Sequence, residues 1–223
     1  TKGPVYLYGD SSETQYLKDL PNIRTYGEEP NSTYQILNYK GKRFSSSFDI
    51  MSEDKIIGSF DLASPGFHNA LNATVAVAVA VDLGLSIEKI KKGISQFAGV
   101  ARRFQYRGEI NGVSFIDDYA HLPTEVESAL EAAKAGKWKR IVAVFQPHRF
   151  TRTNDLASTF SDCFQDADEI VITGIYSAGE KAIPGVTGKL IADAVESKAI
   201  GKNVRYCQHR EDLIVFLREL LVE

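Results

Sequence analysis

The hydrophobic and polar positions of this chain follow two different patterns along its length. Residues 1–100 contain short runs in which apolar and polar residues alternate and aromatic side chains are frequent, a pattern that predicts β-strands. These strands are expected near residues 4–8, 33–40, 43–50 and 55–62. The second and third resemble a hairpin with its turn near residues 40–42. Two helices should follow, an apolar one at residues 66–83 and a second one that Ser86 caps.

From residue 109 onward, short β-rich runs alternate with helical segments. The runs are VSFIDD (113–118), RIVAVF (140–145), EIVITG (169–174) and VRYC (204–207), and helices are predicted from Pro123, from about Asn154, from about Lys189 and after residue 207. This alternation predicts βαβ units, and we therefore predict an α/β fold with a doubly wound, mostly parallel sheet. Residues 98–108 are predicted to be a linker between the two parts.

Composition excludes several classes of protein. With 223 residues, 43% of them hydrophobic, the chain can fold as two globular domains. A formal net charge of −3 provides no global basic field for nucleic acid or a membrane surface. The longest apolar run, residues 73–85, is too short to span a bilayer. Cys163 and Cys207 fit a reducing compartment, and we expect a cytoplasmic protein without nucleic-acid or membrane partners.

Polar clusters follow the first three strands of the second part. They are DDYAH, QPHRFTR and GIYSAGE. Ligands of open α/β sheets bind outside the carboxyl ends of the strands, so we predict that one face of this part carries the chemistry.

The most basic of these clusters contains His148, Arg149 and Arg152. Arg149 and Arg152 are three residues apart and would share one face of a helical turn. Two guanidinium groups suit a carboxylate or phosphate, which they can bind with paired hydrogen bonds, and His148 could add a donor. The alternative is a solvated helix start whose arginines pair with surface acids, and the sequence leaves both open.

Asp117 and Asp118 end the first of these strands and should point to opposite sides of it. One could face a ligand, since acidic residues at strand ends hold ribose hydroxyls, while the other bonds locally. We interpret Asp117 as the local cap. In the linker, Arg102 and Arg103 are either an exposed basic pair or ligand contacts, and the sequence does not decide between these.

His68, Asn69 and Asn72 open the apolar helix of the first part. His68 and Asn72 are four residues apart and share a helix face. Amide side chains can read adenine through N6 and N7, whereas capping would account for only one asparagine. We therefore favour a ligand role for this set.

Several catalytic motifs are missing from the sequence. It has no GxxxxGK[ST] loop, no metal-ligand spacing of Cys and His, no GxSxG turn and no GxGxxG after a strand. A hydrolase with covalent chemistry and a dinucleotide-dependent oxidoreductase are therefore disfavoured.

The segments GFHNALNA, GVARRF, IDDYAHLPTEV, FQPHRFTRT and IYSAGE, in this order and spacing, resemble the Mur ligases of peptidoglycan synthesis. The resemblance extends from about residue 55 to 190 and is greatest to members that join L-alanine to UDP-N-acetylmuramate. It implies a reaction that uses ATP and Mg²⁺ to phosphorylate the muramate carboxylate, after which the L-alanine amine attacks the acyl phosphate. It also implies that residues 1–100 are the C-terminal portion of the central ATP-binding domain and that residues 101–223 are the C-terminal Rossmann-like, amino-acid-binding domain.

The resemblance also implies roles for individual residues. Adenine would be held by His68, Asn69 and Asn72, and the ribose and phosphates by Arg103 and Asp118. The amino-acid carboxylate would be bound by His148, Arg149 and Arg152, with Tyr119 and His121 beside it. Leu122 stands where family members usually carry a second histidine, so any role of that side chain is lost or moved.

The chain is expected to be part of a longer protein, since it opens at Thr1 and its only methionine is Met51. The resemblance places the phosphate-binding loop and the catalytic acids upstream of Thr1, so we expect no catalytic residue in this chain and no activity from it alone. Two alternatives stay open: a ligase that recycles murein tripeptide, and a nucleotide-binding module without catalysis.

Overall fold

The computed structural model describes residues 3–199 and 201–221, and the chain forms two compact units, residues 1–101 and 102–223. No helix within the described residues is long and apolar enough to cross a membrane.

The first unit is a five-stranded sheet with two helices. Its strands are β1 (Val5–Tyr8), β2 (Ile23–Gly27), β3 (Tyr34–Gly41), β4 (Ser46–Ser52) and β5 (Lys55–Leu62), and its helices are α1 (Phe67–Asp82), α2 (Ile87–Gln96) and a 3₁₀ helix at Ser12–Leu17. The sheet order is β1-β2-β3-β4-β5, with parallel pairing among the first three strands and antiparallel pairing from β3 to β5. The predicted strands, hairpin and helices are present.

Two details of the first unit differ from the sequence prediction. Strand β2 was missed, because the polar Arg24 and Thr25 interrupt its apolar pattern. Ser86 occupies the cap position of α2, but its side chain forms no capping hydrogen bond. At the other end of the apolar helix, the Asp82 carboxylate accepts hydrogen bonds from the hydroxyl groups of Tyr6 and Tyr34, at 2.6 and 2.7 Å. These bonds fix α1 against the sheet.

The second unit combines a hairpin with a parallel sheet. Its strands are β6 (Gln105–Ile110), β7 (Val113–Asp117), β8 (Val142–Phe145), β9 (Glu169–Thr173) and β10 (Asn203–Cys207). Its helices are α3 (Pro123–Ala135), α4 (Phe150–Leu156), α5 (Lys189–Glu196), α6 (Arg210–Leu220) and a 3₁₀ helix at Ala157–Phe160. The parallel sheet has the order β10-β9-β8. In its central strand, Ile170, Val171 and Ile172 are at most 1% exposed. A strand buried on both faces is typical of a doubly wound sheet, so the predicted fold class is confirmed.

Three predictions for the second unit need correction. The linker ends before Gln105, because β6 begins there, and the run VSFIDD pairs antiparallel with β6 instead of joining the parallel pairing. The cause is the Asn111–Gly112 turn, in which both residues have positive φ (51° and 78°), as a tight hairpin turn requires. The helix after β8 begins at Phe150, not near residue 154.

Candidate active site

The loops that follow β8 and β9 pair with each other and extend the parallel arrangement beyond the sheet. His148 and Tyr176 form a parallel bridge. The Tyr176 amide donates to the Pro147 carbonyl, and the Arg149 amide donates to the Tyr176 carbonyl, each at 2.8 Å. The polar clusters after these two strands therefore meet at one edge of the sheet, as predicted from the topology.

Arg149 has an unusual backbone conformation at the start of α4. Its φ is 74°, in a region that favours glycine, and its carbonyl accepts from the amide of Thr153 at 3.1 Å and from the Thr153 hydroxyl at 2.9 Å. Such strain persists where surrounding contacts enforce it and is concentrated at functional sites. The sequence argument that Arg149 and Arg152 share a helix face does not apply, because Arg149 precedes the helix.

Arg152 turns back towards His148. Its Nη1 lies 3.4 Å from both the Nδ1 and the carbonyl oxygen of His148. Burial, followed by the charges of Arg152, His121 and Arg149, lowers the pKa of His148, although Glu180 opposes this. His148 is therefore a neutral imidazole at pH 7, and because its Nδ1 faces a guanidinium donor, the proton lies on Nε2.

Four rings gather around this loop, those of Tyr119, His121, His148 and Tyr176. The ring of His148 lies 5.7 Å from that of His121, 6.0 Å from that of Tyr119 and 5.2 Å from that of Tyr176. The guanidinium of Arg102 stacks 4.6 Å above the Tyr119 ring. The structure thus brings Tyr119 and His121 next to the basic residues His148, Arg149 and Arg152. We call the four rings, together with Arg149 at the cap of α4 and Arg152 within α4, the ring cluster.

His121 is held by acceptors at the start of α3. Its Nδ1 lies 2.8 Å from the Tyr119 carbonyl oxygen and 3.3 Å from Oε2 of Glu125. The same Oε2 accepts from the amides of His121 and Leu122, at 3.0 and 3.2 Å. Burial opposes ionisation of Glu125, but these amides and the charges of His121 and Arg103 outweigh it and hold the pKa of Glu125 below its usual value.

Arg103 and Asp118 both have protein partners. Both Nη atoms of Arg103 lie 3.4 Å from Oε1 of Glu125. The carboxylate of Asp118 accepts from the amides of Phe104 and Ala120, each at 2.7 Å. The interpretation of Asp117 as the local cap is therefore wrong: Asp118 bonds the main chain, because the loop after β7 turns back over its side chain.

The loop after β9 also secures the start of α4. Glu180 accepts from the amide of Thr151 at 3.1 Å and from its hydroxyl at 2.7 Å. These bonds lower the pKa of Glu180. Sequence reasoning missed Glu180 and Tyr176, although it had marked GIYSAGE as a cluster at this face. It also assigned Glu125 only to the helix start.

Leu122 lines a mostly apolar surface pocket of about 460 Å³. Other residues of this pocket are Pro123, Leu156 and the buried Cys163. The apolar side chain of Leu122 therefore packs in this pocket and cannot donate or accept a proton.

The asparagines at the start of α1 have different environments. The side-chain amide of Asn69 donates to the hydroxyl of Ser64 at 3.0 Å and to the carbonyl of Pro65 at 2.7 Å. Both of its hydrogens are thus used locally, and Asn69 does not cap the helix either, because the cap position is Gly66 and no side chain bonds the helix start there. Asn72 is exposed on the same helix, four residues after the half-buried His68.

Within residues 3–199 and 201–221, no three His, Cys, Asp or Glu side chains converge as metal ligands.

The fold and site define an α/β protein with a cationic, ring-lined site at the carboxyl ends of parallel strands. The family model described as "Mur ligase, glutamate ligase domain" matches residues 102–223, and the chain belongs to the Mur ligase family. Two curated relatives carry the name UDP-N-acetylmuramate–L-alanine ligase. The one from Syntrophomonas wolfei is 39% identical over all of this chain and 48% of its own length, and the one from Carboxydothermus hydrogenoformans is 43% identical over 97% of this chain and 47% of its own.

A solved structure supports the same assignment. The crystal structure of UDP-N-acetylmuramate-alanine ligase MurC from Thermotoga maritima is similar with a TM-score of 0.74 and 29% identity, over 94% of this chain and 44% of that one. The chain thus spans about half the length of the curated relatives it matches.

Proposed function

We propose that a full-length protein containing this chain is an ATP-dependent ligase that joins L-alanine to the muramate carboxylate of UDP-N-acetylmuramate in peptidoglycan precursor synthesis. The carboxylate is first phosphorylated, and the L-alanine amine then displaces the phosphate to form an amide. The observation that carries this proposal is the contact of Arg152 with His148, next to Arg149 at the cap of α4, in a chain 39–43% identical to ligases of that name.

The ring cluster suits the carboxylate of a small amino acid. Among the described residues, neither Arg149 nor Arg152 forms an ion pair with an acidic side chain, which argues against arginines that merely pair with surface acids. Hydrogen bonds from Thr151, followed by the charge of Arg149, lower the pKa of Glu180, but Glu180 forms those bonds with Thr151, so both guanidinium groups keep donors for an anion. The Nε2 proton of His148 adds a neutral donor.

We further propose that residues 1–100 are the C-terminal portion of the central ATP-binding domain and residues 101–223 the amino-acid-binding domain. Asn72 and His68 contact adenine, while Asn69 shapes the loop before them. Asp118 and Arg103 serve the ribose and phosphates. ATP brings Mg²⁺, which neutralises charge during phosphoryl transfer. Two free, buried cysteines fit a cytoplasmic protein.

The test is an assay on the complete reading frame that contains this chain. Phosphate release from ATP should require both UDP-N-acetylmuramate and L-alanine, and the product mass should show one added alanine. Arg152→Ala should reduce turnover strongly, whereas Arg218→Ala on the exposed face of α6 serves as the charge-matched control. Turnover with murein tripeptide in place of L-alanine would favour the recycling ligase. Nucleotide binding without phosphate release would favour the non-catalytic module.

A further inference from the structure

The protonation of the His121 ring follows from its neighbours. Both groups close to Nδ1 are acceptors, the Tyr119 carbonyl oxygen at 2.8 Å and Oε2 of Glu125 at 3.3 Å. A carbonyl oxygen cannot donate, so Nδ1 carries the proton, and in the neutral ring Nε2 holds a free lone pair. Among the described residues, none forms a hydrogen bond with Nε2 of His121, and the His121 side chain is 20% exposed.

The two histidines of the ring cluster are therefore complementary. His148 has its proton on Nε2 and can donate, whereas His121 has its lone pair on Nε2 and can accept. Their ring centres are 5.7 Å apart. In an α-amino acid the nitrogen lies only about 2.5 Å from the carboxylate carbon. A carboxylate held at Arg152 and His148 therefore places its ammonium group within hydrogen-bond reach of His121.

We propose that His121 is the general base that removes a proton from the ammonium group of the incoming amino acid, and that Glu125 is its positioning residue. This inference rests on the proposed ligase function and adds a catalytic role to it. An α-amino group is mainly protonated at neutral pH and has no lone pair for attack, so an amide ligase needs a proton acceptor beside it.

One ammonium proton moves to Nε2 of His121, and the freed lone pair attacks the acyl phosphate carbon. The bond between that carbon and the phosphate oxygen then breaks, and its electron pair leaves with the phosphate. The second proton leaves the nitrogen with the phosphate, the third stays on the amide, and His121 returns its proton to water.

Several charged groups surround the His121 ring. The Glu125 carboxylate of α3 lies 3.3 Å from Nδ1 of the ring and orients it, and Arg103 contacts the same carboxylate. The other titratable or charged groups around the ring are Tyr119 after β7, Arg102 stacked on Tyr119, His148 after β8 and Arg152 of α4.

The test compares two nucleophiles in the full-length enzyme with ATP and UDP-N-acetylmuramate. His121→Asn keeps an N–H for the Tyr119 carbonyl but has no basic nitrogen. Hydroxylamine, which is unprotonated at pH 7, needs no base and reports the acyl phosphate as a hydroxamate. At pH 7 we expect H121N to lose about 10²- to 10⁴-fold in turnover with L-alanine but to form hydroxamate at the wild-type rate. Its turnover with L-alanine should recover as the pH approaches the pKa of the amino group of free L-alanine.

Other outcomes overturn the proposal. A loss with L-alanine that is the same at every pH, or an equal loss with hydroxylamine, would show that His121 does not act on the amine. Unchanged L-alanine turnover would do the same. The proposed function fails separately, when the wild-type enzyme forms hydroxamate but no alanine amide. Glu125→Gln provides a second variant, for which we expect a smaller loss in kcat than in H121N with an L-alanine KM close to wild type.

Discussion

Nδ1 of His148 lies 3.4 Å from Nη1 of Arg152, and burial together with the charge of this guanidinium lowers the pKa of His148. A protonated imidazole beside a guanidinium would be repelled, and burial acts in the same direction. The pair therefore consists of one cation and one neutral donor, both of which can bind a carboxylate.

The lowered pKa of His148 predicts how stability depends on pH. In the unfolded chain a histidine has a pKa of about 6.5 and binds a proton more readily than in the folded state, so stability rises with pH in this range. The contribution of His148 is complete above about pH 6.5 and is lost as the pH falls towards the folded-state pKa. Urea unfolding of the chain between pH 5 and 8 measures this. His148→Gln should flatten the profile, and an equally steep profile in that variant would assign the dependence to other groups.

Arg149 allows its charge and its backbone strain to be separated. Arg149→Ala in the full-length enzyme should lower kcat/KM for L-alanine by an amount that corresponds to about 1.5–3 kcal/mol, because it removes a charge-assisted contact to the carboxylate. Arg149→Gly should lower kcat/KM for L-alanine equally. It should unfold at a higher urea concentration than Arg149→Ala, because glycine adopts the positive φ at a cost about 1 kcal/mol lower. Kinetics and urea unfolding of both variants test this. Wild-type L-alanine kinetics in both would remove Arg149 from the carboxylate site.

The two asparagines of α1 should differ in what they affect. Asn69→Ala leaves the Ser64 hydroxyl and Pro65 carbonyl without their donor, and it should destabilise the chain by about 1–3 kcal/mol. Because Asn72 is exposed, Asn72→Ala should leave the free energy of unfolding unchanged. It should raise the KM for ATP while the KM for L-alanine stays near the wild-type value. Unfolding curves and substrate titrations distinguish these effects. Equal effects of Asn72→Ala on both substrates would count against an adenine contact.

Glu180 links the loop after β9 to α4, and its removal should loosen the carboxylate site. Glu180→Ala deprives the Thr151 amide and hydroxyl of their acceptor and frees the start of the helix that carries Arg152. We expect a several-fold higher KM for L-alanine and an unchanged KM for ATP. Glu169→Ala, at the opposite end of β9, is the matched control. An unchanged KM for L-alanine in the Glu180 variant would make this link dispensable.

Much of this arrangement could be read from local sequence. Helix α5 begins at Lys189 as predicted, and α1 lies within one residue of its predicted bounds at each end. The reason is that α1 is a long apolar run with polar residues at both ends, while α5 has apolar residues at helical spacing, such as Ile191 and Val195. The convergence of the loops after β8 and β9 was also accessible, since parallel strands in one sheet present their carboxyl ends at the same edge. The Asn111–Gly112 turn was an available hairpin signal that the βαβ interpretation overrode.

The sequence by itself determined the class of fold and the residue types at one sheet edge, because periodicity and strand direction are local properties of the chain. Only the tertiary structure decided which side chains already have partners. Asp117 and Asp118 are adjacent and identical in chemistry, yet Asp118 alone bonds two amides, one of them 14 residues away in sequence. The proton positions on His121 and His148 were equally beyond the sequence, because each depends on the acceptor or donor that the fold brings to Nδ1.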